Sequence, residues 1–248
     1  MYRRILNGRD LWVLLKRKYW YIIGIYLLMQ FGGAFLAAIL TISYGLDPIN
    51  TAISINIIGF LIAVVIILAM LKKELHEERI AHPLSIGKII GWSALGILLA
   101  WFSQGIASVL EMAILGSDPD SANTQLIVEI SRMNPIFILV PALIGPILEE
   151  LVFRKIIFGA LYKRFNFFLA ALISSFIFAA AHMEFVHILV YATMGFVFAF
   201  IYVKTKRIIM PIIVHMSLNT VAVVGQLVLD VEQLEKIQDQ AMLIFFGG

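Results

Sequence analysis

Long apolar runs without charged residues dominate the pattern along the chain. Six such windows occupy residues 19–46, 48–71, 89–110, 165–183, 185–203 and 208–229. A spanning helix needs about 20 mainly apolar residues, so each window predicts one membrane span. A seventh run, from Met133 to Tyr162, is interrupted at its centre by four charged residues: Glu149, Glu150, Arg154 and Lys155. The pattern therefore predicts an all-α fold, a polytopic transmembrane helix bundle of about seven spans, or eight if the proline-containing seventh run forms two helices.

The basic residues predict how the bundle is oriented. Of the 19 Lys and Arg residues, 15 fall in stretches on one side of the predicted membrane, namely 3–18, 72–88, 163–164 and 204–207. Cytoplasmic loops of membrane proteins carry such an excess, which places the N-terminus in the cytoplasm and the C-terminus outside. Residues 72–88 are then expected to form a cytoplasmic loop.

The chain divides into four regions on this pattern. Residues 1–18 form a basic cytoplasmic segment, and residues 19–132 hold the first three transmembrane helices and their loops. The latter include a polar outer stretch, 117–133, in which we expect a surface helix. Residues 133–229 hold the later helices with the candidate chemistry, and the amphipathic tail 230–248 is too short to span and is expected at the interface. Glu184 and His187, at a predicted helix end, are also expected to be interfacial.

Composition narrows the classes of function. The chain is 61% apolar and 14% charged, whereas a soluble domain is roughly 45–50% apolar and about 25% charged. So few polar residues cannot cover a soluble globule, which argues against a water-soluble enzyme and a nucleic-acid-binding protein. The absence of cysteine excludes disulfides, thiolate metal ligands and a cysteine nucleophile. We expect a multi-pass protein embedded in the lipid bilayer of a cell (plasma) membrane, and a bacterial one, and we read the net charge of +3 as a record of orientation.

Ionisable residues inside the predicted spans are the strongest functional signal, because they are costly in lipid unless they are paired or hydrated. They fall into three clusters, and the key partners in each stand four residues apart, on one face of a helix. These clusters are Glu149-Glu150 with Arg154, Phe178 with His182, and His215 with Asn219.

The first cluster leads to four structural expectations. Glu150 and Arg154 are expected to form an i,i+4 ion pair, either within a site or simply as a contact that joins helices. Adjacent Glu149 and Glu150 diverge by about 100° around a helix and are not expected to face one site. Glu149, with no basic partner left nearby, is expected to face a cavity. Pro141 and Pro146 are expected to break or bend the helix, and a restart at Pro146 would place both carboxylates near a helix N-terminus, where the dipole favours them.

These residue types are suited to peptide hydrolysis. A carboxylate near a histidine can deprotonate and orient a water molecule, and a His/Asn pair can donate hydrogen bonds to the tetrahedral oxyanion. Alternatively, Glu149, His182 and His215 form a three-ligand set for a catalytic zinc ion with water in the open position. Residue types alone do not separate these mechanisms, so zinc is left open.

Three motifs in this order resemble a known family. Glu-Glu-x-x-x-Arg (149–154), Phe-x-x-x-His (178–182) and His-x-x-x-Asn (215–219) are similar to those of the CPBP/Abi family. This family comprises the CAAX prenyl endopeptidases and their bacterial relatives among bacteriocin-processing and self-immunity proteins. The resemblance covers about residues 133–228.

The resemblance implies an intramembrane endopeptidase, of glutamate or metallo type, that acts on a peptide or a membrane-protein segment. Glu149 and His182 would activate water, and His215 and Asn219 would stabilise the oxyanion. Glu150, Arg154 and Phe178 would support the site. The alternative is a non-proteolytic immunity or scaffold protein, or a proton-coupled transporter that uses the Glu/His set as a relay. Recognition of a prenyl group and the oligomeric state cannot be read from the sequence.

Overall fold

The structure, a computed structural model, describes residues 16–116 and 121–228. All regular secondary structure in these two ranges is helical, which confirms the predicted fold class. Most of the basic segment 1–18 and the predicted amphipathic tail 230–248 lie outside the described residues. We number the helices α1 (Arg17–Tyr44), α2 (Pro48–Ala81), α3 (Ile86–Leu115), α4 (Ala122–Met133), α5 (Pro135–Tyr162), α6 (Phe167–Ala181), α7 (Ile188–Thr205) and α8 (Ile209–Val228).

Six helices within the described residues are long and apolar enough to cross a membrane. They are α1, α2, α3, α5, α8, and α7 together with the 3₁₀ turn Phe185–His187 that precedes it. The helix in the remaining predicted window, α6, has only 15 residues. At 1.5 Å per residue it measures about 22 Å, less than the hydrocarbon core of about 30 Å. The count of seven or eight spans and the cytoplasmic N-terminus therefore stay predictions.

Helix α2 is longer than the sequence pattern indicates. It runs on to Ala81, so much of the expected loop 72–88 is helical. The extension carries two acidic residues that bind other helices: Glu74 pairs with Lys16 and Lys18 at the start of α1, and Glu78 binds Lys155 of α5. The prediction of a loop was wrong here. Charged residues follow the apolar run and suggest that the helix ends, but the ion pairs of Glu74 and Glu78 with other helices allow it to continue.

Helix α5 is continuous but irregular. A 3₁₀ turn (Pro135–Ile138) is followed by two π-helical stretches (Val140–Ile144 and Glu150–Phe158) that flank a short α-helical one (Gly145–Glu149). The backbone does not break at Pro146: the flanking residues keep helical dihedral angles, and Gly145 N–H donates to the Val140 carbonyl, five residues back. Widened turns thus absorb the two prolines without a break.

The position of α5 is central. In its apolar window 56% of residues are buried, against 17–39% in the other five candidate spans. The main cluster of buried apolar residues joins α5 to α1 and α2. On another side, α3 and α8 approach closely at Gly96, where an added Cβ would stand 2.6 Å from a Val214 methyl. The helix with most of the intramembrane charges is therefore shielded from lipid by its neighbours.

The expected surface helix in the outer stretch is present as α4. Ser121 caps its N-terminus by accepting a hydrogen bond from the Thr124 amide at 3.1 Å. Ile127 and Ile130 pack against the main apolar cluster. Helix α4 therefore lies with its apolar face against the later helices.

Candidate active site

The predicted Glu150–Arg154 pair is buried in the bundle. Arg154 Nη1 lies 3.3 Å from Glu150 Oε1, and the side chains are 1% and 0% exposed. The contact is an ion pair without the alignment of a hydrogen bond. The guanidinium also lies over the Phe178 ring, 4.0 Å from its centroid, and 5.1 Å from that of Phe198. Two aromatic rings and a carboxylate therefore hold this cation out of contact with lipid.

His215 lies between the two adjacent carboxylates. Its Nδ1 is 3.0 Å from Glu150 Oε1, and its Nε2 is 3.6 Å from Glu149 Oε2. The expectation that both carboxylates cannot face one site was therefore wrong, as was the expectation that Glu149 lacks a basic partner. The reason is that one imidazole presents nitrogens on two edges, and the π-helical stretch that begins at Glu150 changes the angle between neighbouring side chains.

The two carboxylates differ in access. The Glu149 side chain is 20% exposed, whereas that of Glu150 is fully buried. The separation of 3.6 Å between Glu149 and His215 is too long for a direct hydrogen bond, so Glu149 keeps acceptor capacity for another group. Glu149 is thus the carboxylate of the pair that can receive water or substrate.

His182 ends α6 with a defined tautomer. Its Nδ1 lies 2.9 Å from the Phe178 carbonyl oxygen. A carbonyl oxygen only accepts, so Nδ1 carries the hydrogen and the neutral ring keeps its lone pair on Nε2. The ring packs edge-on against Phe178, at 4.6 Å between centroids, and lies within the electrostatic range of Glu149. Phe178 therefore contacts both His182 and Arg154, which brings the first two clusters together.

Asn219 lies one turn beyond His215 on α8 and binds the irregular part of α5. Its Nδ2 donates to the Pro141 carbonyl at 3.0 Å. That carbonyl lacks its usual partners: the Gly145 amide donates to Val140 instead, and Pro146, the next residue along, has no N–H. Asn219 thus satisfies an acceptor that the two prolines expose, and one hydrogen of its amide is engaged by this bond.

Sequence reasoning missed Glu111, a fully buried carboxylate near the end of α3. It accepts hydrogen bonds from the Leu189 amide (2.6 Å) and the Val190 amide (3.3 Å) in the first turn of α7, and contacts His187 Nδ1 at 3.2 Å. His187 is 7% exposed and thus buried among the helices, while its interfacial depth stays a prediction. In the sequence, Glu111 directly follows an apolar window, where a carboxylate is expected to face water or lipid headgroups. Nothing in the sequence pattern indicates that it caps a helix far along the chain.

Glu184, also predicted at the interface, joins α4 to α7. Its Oε2 accepts from the Ser121 hydroxyl (2.7 Å) and the Tyr191 hydroxyl (2.8 Å), and its Oε1 accepts from the Asn123 amide (3.3 Å). Burial raises the pKa of this carboxyl, but the donors and the nearby His187 outweigh burial, so its pKa lies below its ordinary value. Glu184 is therefore held as a carboxylate.

The proposed zinc ligands do not form a metal-binding group. Within residues 16–116 and 121–228, no three His, Asp or Glu side chains are placed to hold a metal ion. His215 uses Nδ1 on Glu150 and His182 uses Nδ1 on a backbone carbonyl, so each ring has only Nε2 left for another group. As placed, these residues do not fit zinc. Zinc stays a prediction that metal analysis checks.

Comparisons with known proteins match the chain to a protease family over the helices that hold the candidate site. Residues 131–221, which contain all seven predicted site residues, match the Rce1-like family of type II CAAX prenyl endopeptidases. The chain is 40% identical to "Putative membrane peptidase YdiL" of Bacillus subtilis (strain 168) over 242 residues, which cover 94% of this chain and 99% of the relative. It is 38% identical to "Membrane-embedded CAAX protease MroQ" of Staphylococcus aureus (strain USA300) over 209 residues, which cover 81% and 84%.

No solved structure matches the chain. The two relatives are matched over most of their lengths, and both carry names of membrane proteases. The family match falls on the helices that hold the buried charges. The chain therefore belongs to the Rce1-like CAAX protease family and is a multi-pass membrane protease.

Proposed function

We propose that the chain is an intramembrane endopeptidase in which Glu149 and His182 activate a water molecule for attack on a peptide bond. The observation that supports this most is the contrast between the two carboxylates on His215. Glu150 is fully buried and pairs with Arg154, whereas Glu149 is 20% exposed and 3.6 Å from the imidazole. An accessible carboxylate beside a preorganised polar network is what general-base catalysis needs.

Glu149 and His182 account for both hydrogens of the water molecule in the hydrolysis. Glu149 takes a proton from water while the Nε2 lone pair of His182 accepts the second water hydrogen and orients the oxygen. The water oxygen attacks the carbonyl carbon and forms a tetrahedral oxyanion. The proton on Glu149 then passes to the amide nitrogen, the C–N bond breaks, and the products leave as a carboxylic acid and an amine.

His215 and Asn219 are proposed to stabilise the oxyanion. The Asn219 amide has a second hydrogen besides the one on Pro141. His215 Nδ1 faces Glu150 Oε1, so Nε2 is the nitrogen left to face the oxyanion, and it donates a hydrogen bond only from a ring that carries hydrogens on both nitrogens. Glu150 orients this ring, and Arg154 and Phe178 hold Glu150 in place.

The substrate we propose is a peptide or a membrane-protein segment. The catalytic groups lie among helices that lipid surrounds, so the scissile bond belongs to a chain that reaches the membrane. The names of the family and of MroQ refer to CAAX substrates. Family membership favours this reading over an immunity, scaffold or transport function, and no observation favours those alternatives here.

The test is cleavage by protein reconstituted in liposomes, with membrane-targeted peptide libraries scored by mass spectrometry. Glu149→Gln and His182→Ala should each lower the rate on the order of 10²–10⁴-fold, the usual contribution of general acid–base groups. Glu129→Gln, an exposed position on α4, is the matched control and should keep full activity. Full activity in either site variant would refute the mechanism, and inhibition by a chelator that zinc reverses would replace it with the metal alternative.

A further inference from the structure

A tyrosine outside the three motifs lies against the imidazole of His182. We propose that Tyr191, oriented by Glu184, is a positioning residue that sets the direction of the His182 ring for catalysis. This inference rests on the proposed function, because it assigns His182 the role of orienting water. The inference extends the proposed site by Tyr191 from α7 and by Glu184 from the turn after α6.

The His182 ring is held on two sides. The Tyr191 ring stacks on it with 4.1 Å between centroids and 23° between planes. Phe178 packs against it edge-on, and the Phe178 carbonyl accepts from its Nδ1. A ring with one stacking face and one hydrogen-bonded edge occupied keeps a single orientation, so the direction of the Nε2 lone pair is fixed before substrate arrives.

Glu184 fixes Tyr191 in turn. The Tyr191 hydroxyl donates to Glu184 Oε2 at 2.8 Å, and the same oxygen accepts from the Ser121 hydroxyl at 2.7 Å. The second oxygen accepts from the Asn123 amide. Ser121 and Asn123 belong to the capped start of α4. The angle of the Tyr191 ring is therefore set by a carboxylate that is itself held by the outer helix.

The backbone conformation next to His182 is a second connection to Glu184. Met183 has φ of 58°, in the left-handed region that a non-glycine residue rarely adopts. Such a residue costs on the order of 1–3 kcal/mol and persists only where surrounding contacts hold it. Met183 lies between His182 and Glu184, so the hydrogen bonds of Glu184 hold the turn that ends α6. Glu184 thus acts on His182 through the backbone as well as through Tyr191.

Two substitutions at Tyr191 separate ring contact from hydroxyl contact. Tyr191→Phe keeps the stacked ring and loses the hydroxyl contacts with Glu184 and Ser121, and should lower kcat by about three- to tenfold. Tyr191→Leu removes the stacking ring and should lower kcat on the order of 10²-fold, the usual effect of misplacing a catalytic group by about 1 Å. In both, KM should change by less than about twofold, because substrate contacts are kept. Tyr44→Phe, at an exposed position on α1, is the matched control.

A second measurement reports on the ring without cleavage. The imidazole nitrogens of ¹⁵N-histidine-labelled protein show which nitrogen carries the hydrogen, and His182→Gln identifies the resonance. Tyr191→Phe should keep the Nδ1–H form, and Tyr191→Leu should show a mixture of the two forms. An unchanged His182 resonance or an unchanged kcat in Tyr191→Leu would overturn the proposal. If the unsubstituted protein cleaves no peptide while the resonance changes as expected, the positioning contact stands and the proposed function fails.

Discussion

Gly195 of α7 packs directly against the buried Arg154 side chain. A Cβ added there would stand 3.0 Å from Arg154 Nη2 and 2.9 Å from Ser175 Oγ. Ordinary contacts of this kind are about 3.5 Å, so each group must move by roughly half an ångström. Arg154 has little freedom to do so, since it is 1% exposed and packs against two aromatic rings.

The expected effect of Gly195→Ala is the balance of two contributions. Overpacking of a filled core costs about 1–3 kcal/mol, whereas replacing glycine within a helix gains about 1 kcal/mol. We therefore expect a net loss of roughly 1 kcal/mol in the free energy of unfolding. A displaced Arg154 side chain should also shift its ion-pair partner Glu150, and Glu150 in turn should shift the His215 ring that it contacts. A shift of half an ångström should lower kcat about tenfold, since about 1 Å can cost on the order of 10²-fold.

The assay pairs this variant with Gly91→Ala in α3, where an added Cβ meets nothing within 4 Å. Unfolding by SDS titration and peptide cleavage are measured for both. Gly91→Ala should be as stable as the unsubstituted protein or more so, with full activity. If Gly195→Ala matches Gly91→Ala in stability and in kcat, Arg154 does not hold the site in the way we describe.

Three further outcomes follow from charged side chains that are buried or partly buried. Arg154→Met should lower the free energy of unfolding by about 3–5 kcal/mol, and adding Glu150→Gln should recover much of that loss because no buried charge is then left unpaired; equal losses in the single and double variants would contradict this. Glu111→Ala should cost about 1–3 kcal/mol in thermal unfolding, because two amides of α7 lose their acceptor, and Glu111→Gln, which keeps an acceptor oxygen, should cost less. The pKa of Glu184 is lowered in the folded protein, so its stabilising contacts to α4 are present above its ordinary pKa and are lost as the pH falls through the folded value. Hydrogen exchange in α4, corrected for intrinsic rates, should rise over that range, and Glu184→Gln should remove the pH dependence.

The helices and the three motif clusters could be predicted because both depend on local sequence. Apolar runs longer than the bilayer specify helices whatever their neighbours are, and spacing of four places the Glu150 and Arg154 side chains on one helix face. The position of His215 between two adjacent carboxylates was not predictable. It depends on a second helix supplying a ring with two nitrogens, and on π-helical turns that the sequence pattern does not distinguish from α-helical ones.

Partners that lie across the bundle were missed for a similar reason. Glu111 and Glu184 each stand at the edge of an apolar run, where most carboxylates are solvated. Most of their partners, namely the Ser121 hydroxyl and the amides of Asn123, Leu189 and Val190, belong to residues more than 60 positions away along the chain. The periodicity of apolar residues carries no information on such contacts. Only the packed structure shows that each of the two carboxylates connects one helix to another.

The hydrogen bond from Asn219 to the Pro141 carbonyl links two positions 78 residues apart. The Asn219 amide replaces the backbone N–H that Pro146 lacks. A screen for suppressor mutations should reveal this link. Asn219→Ala leaves the Pro141 carbonyl without its partner, at a cost of about 1–3 kcal/mol. Pro146→Ala restores an N–H one turn along the same helix and should recover part of the lost protein level without restoring an oxyanion donor. The pair thus offers a genetic means to separate what Asn219 does for folding from what it does for catalysis.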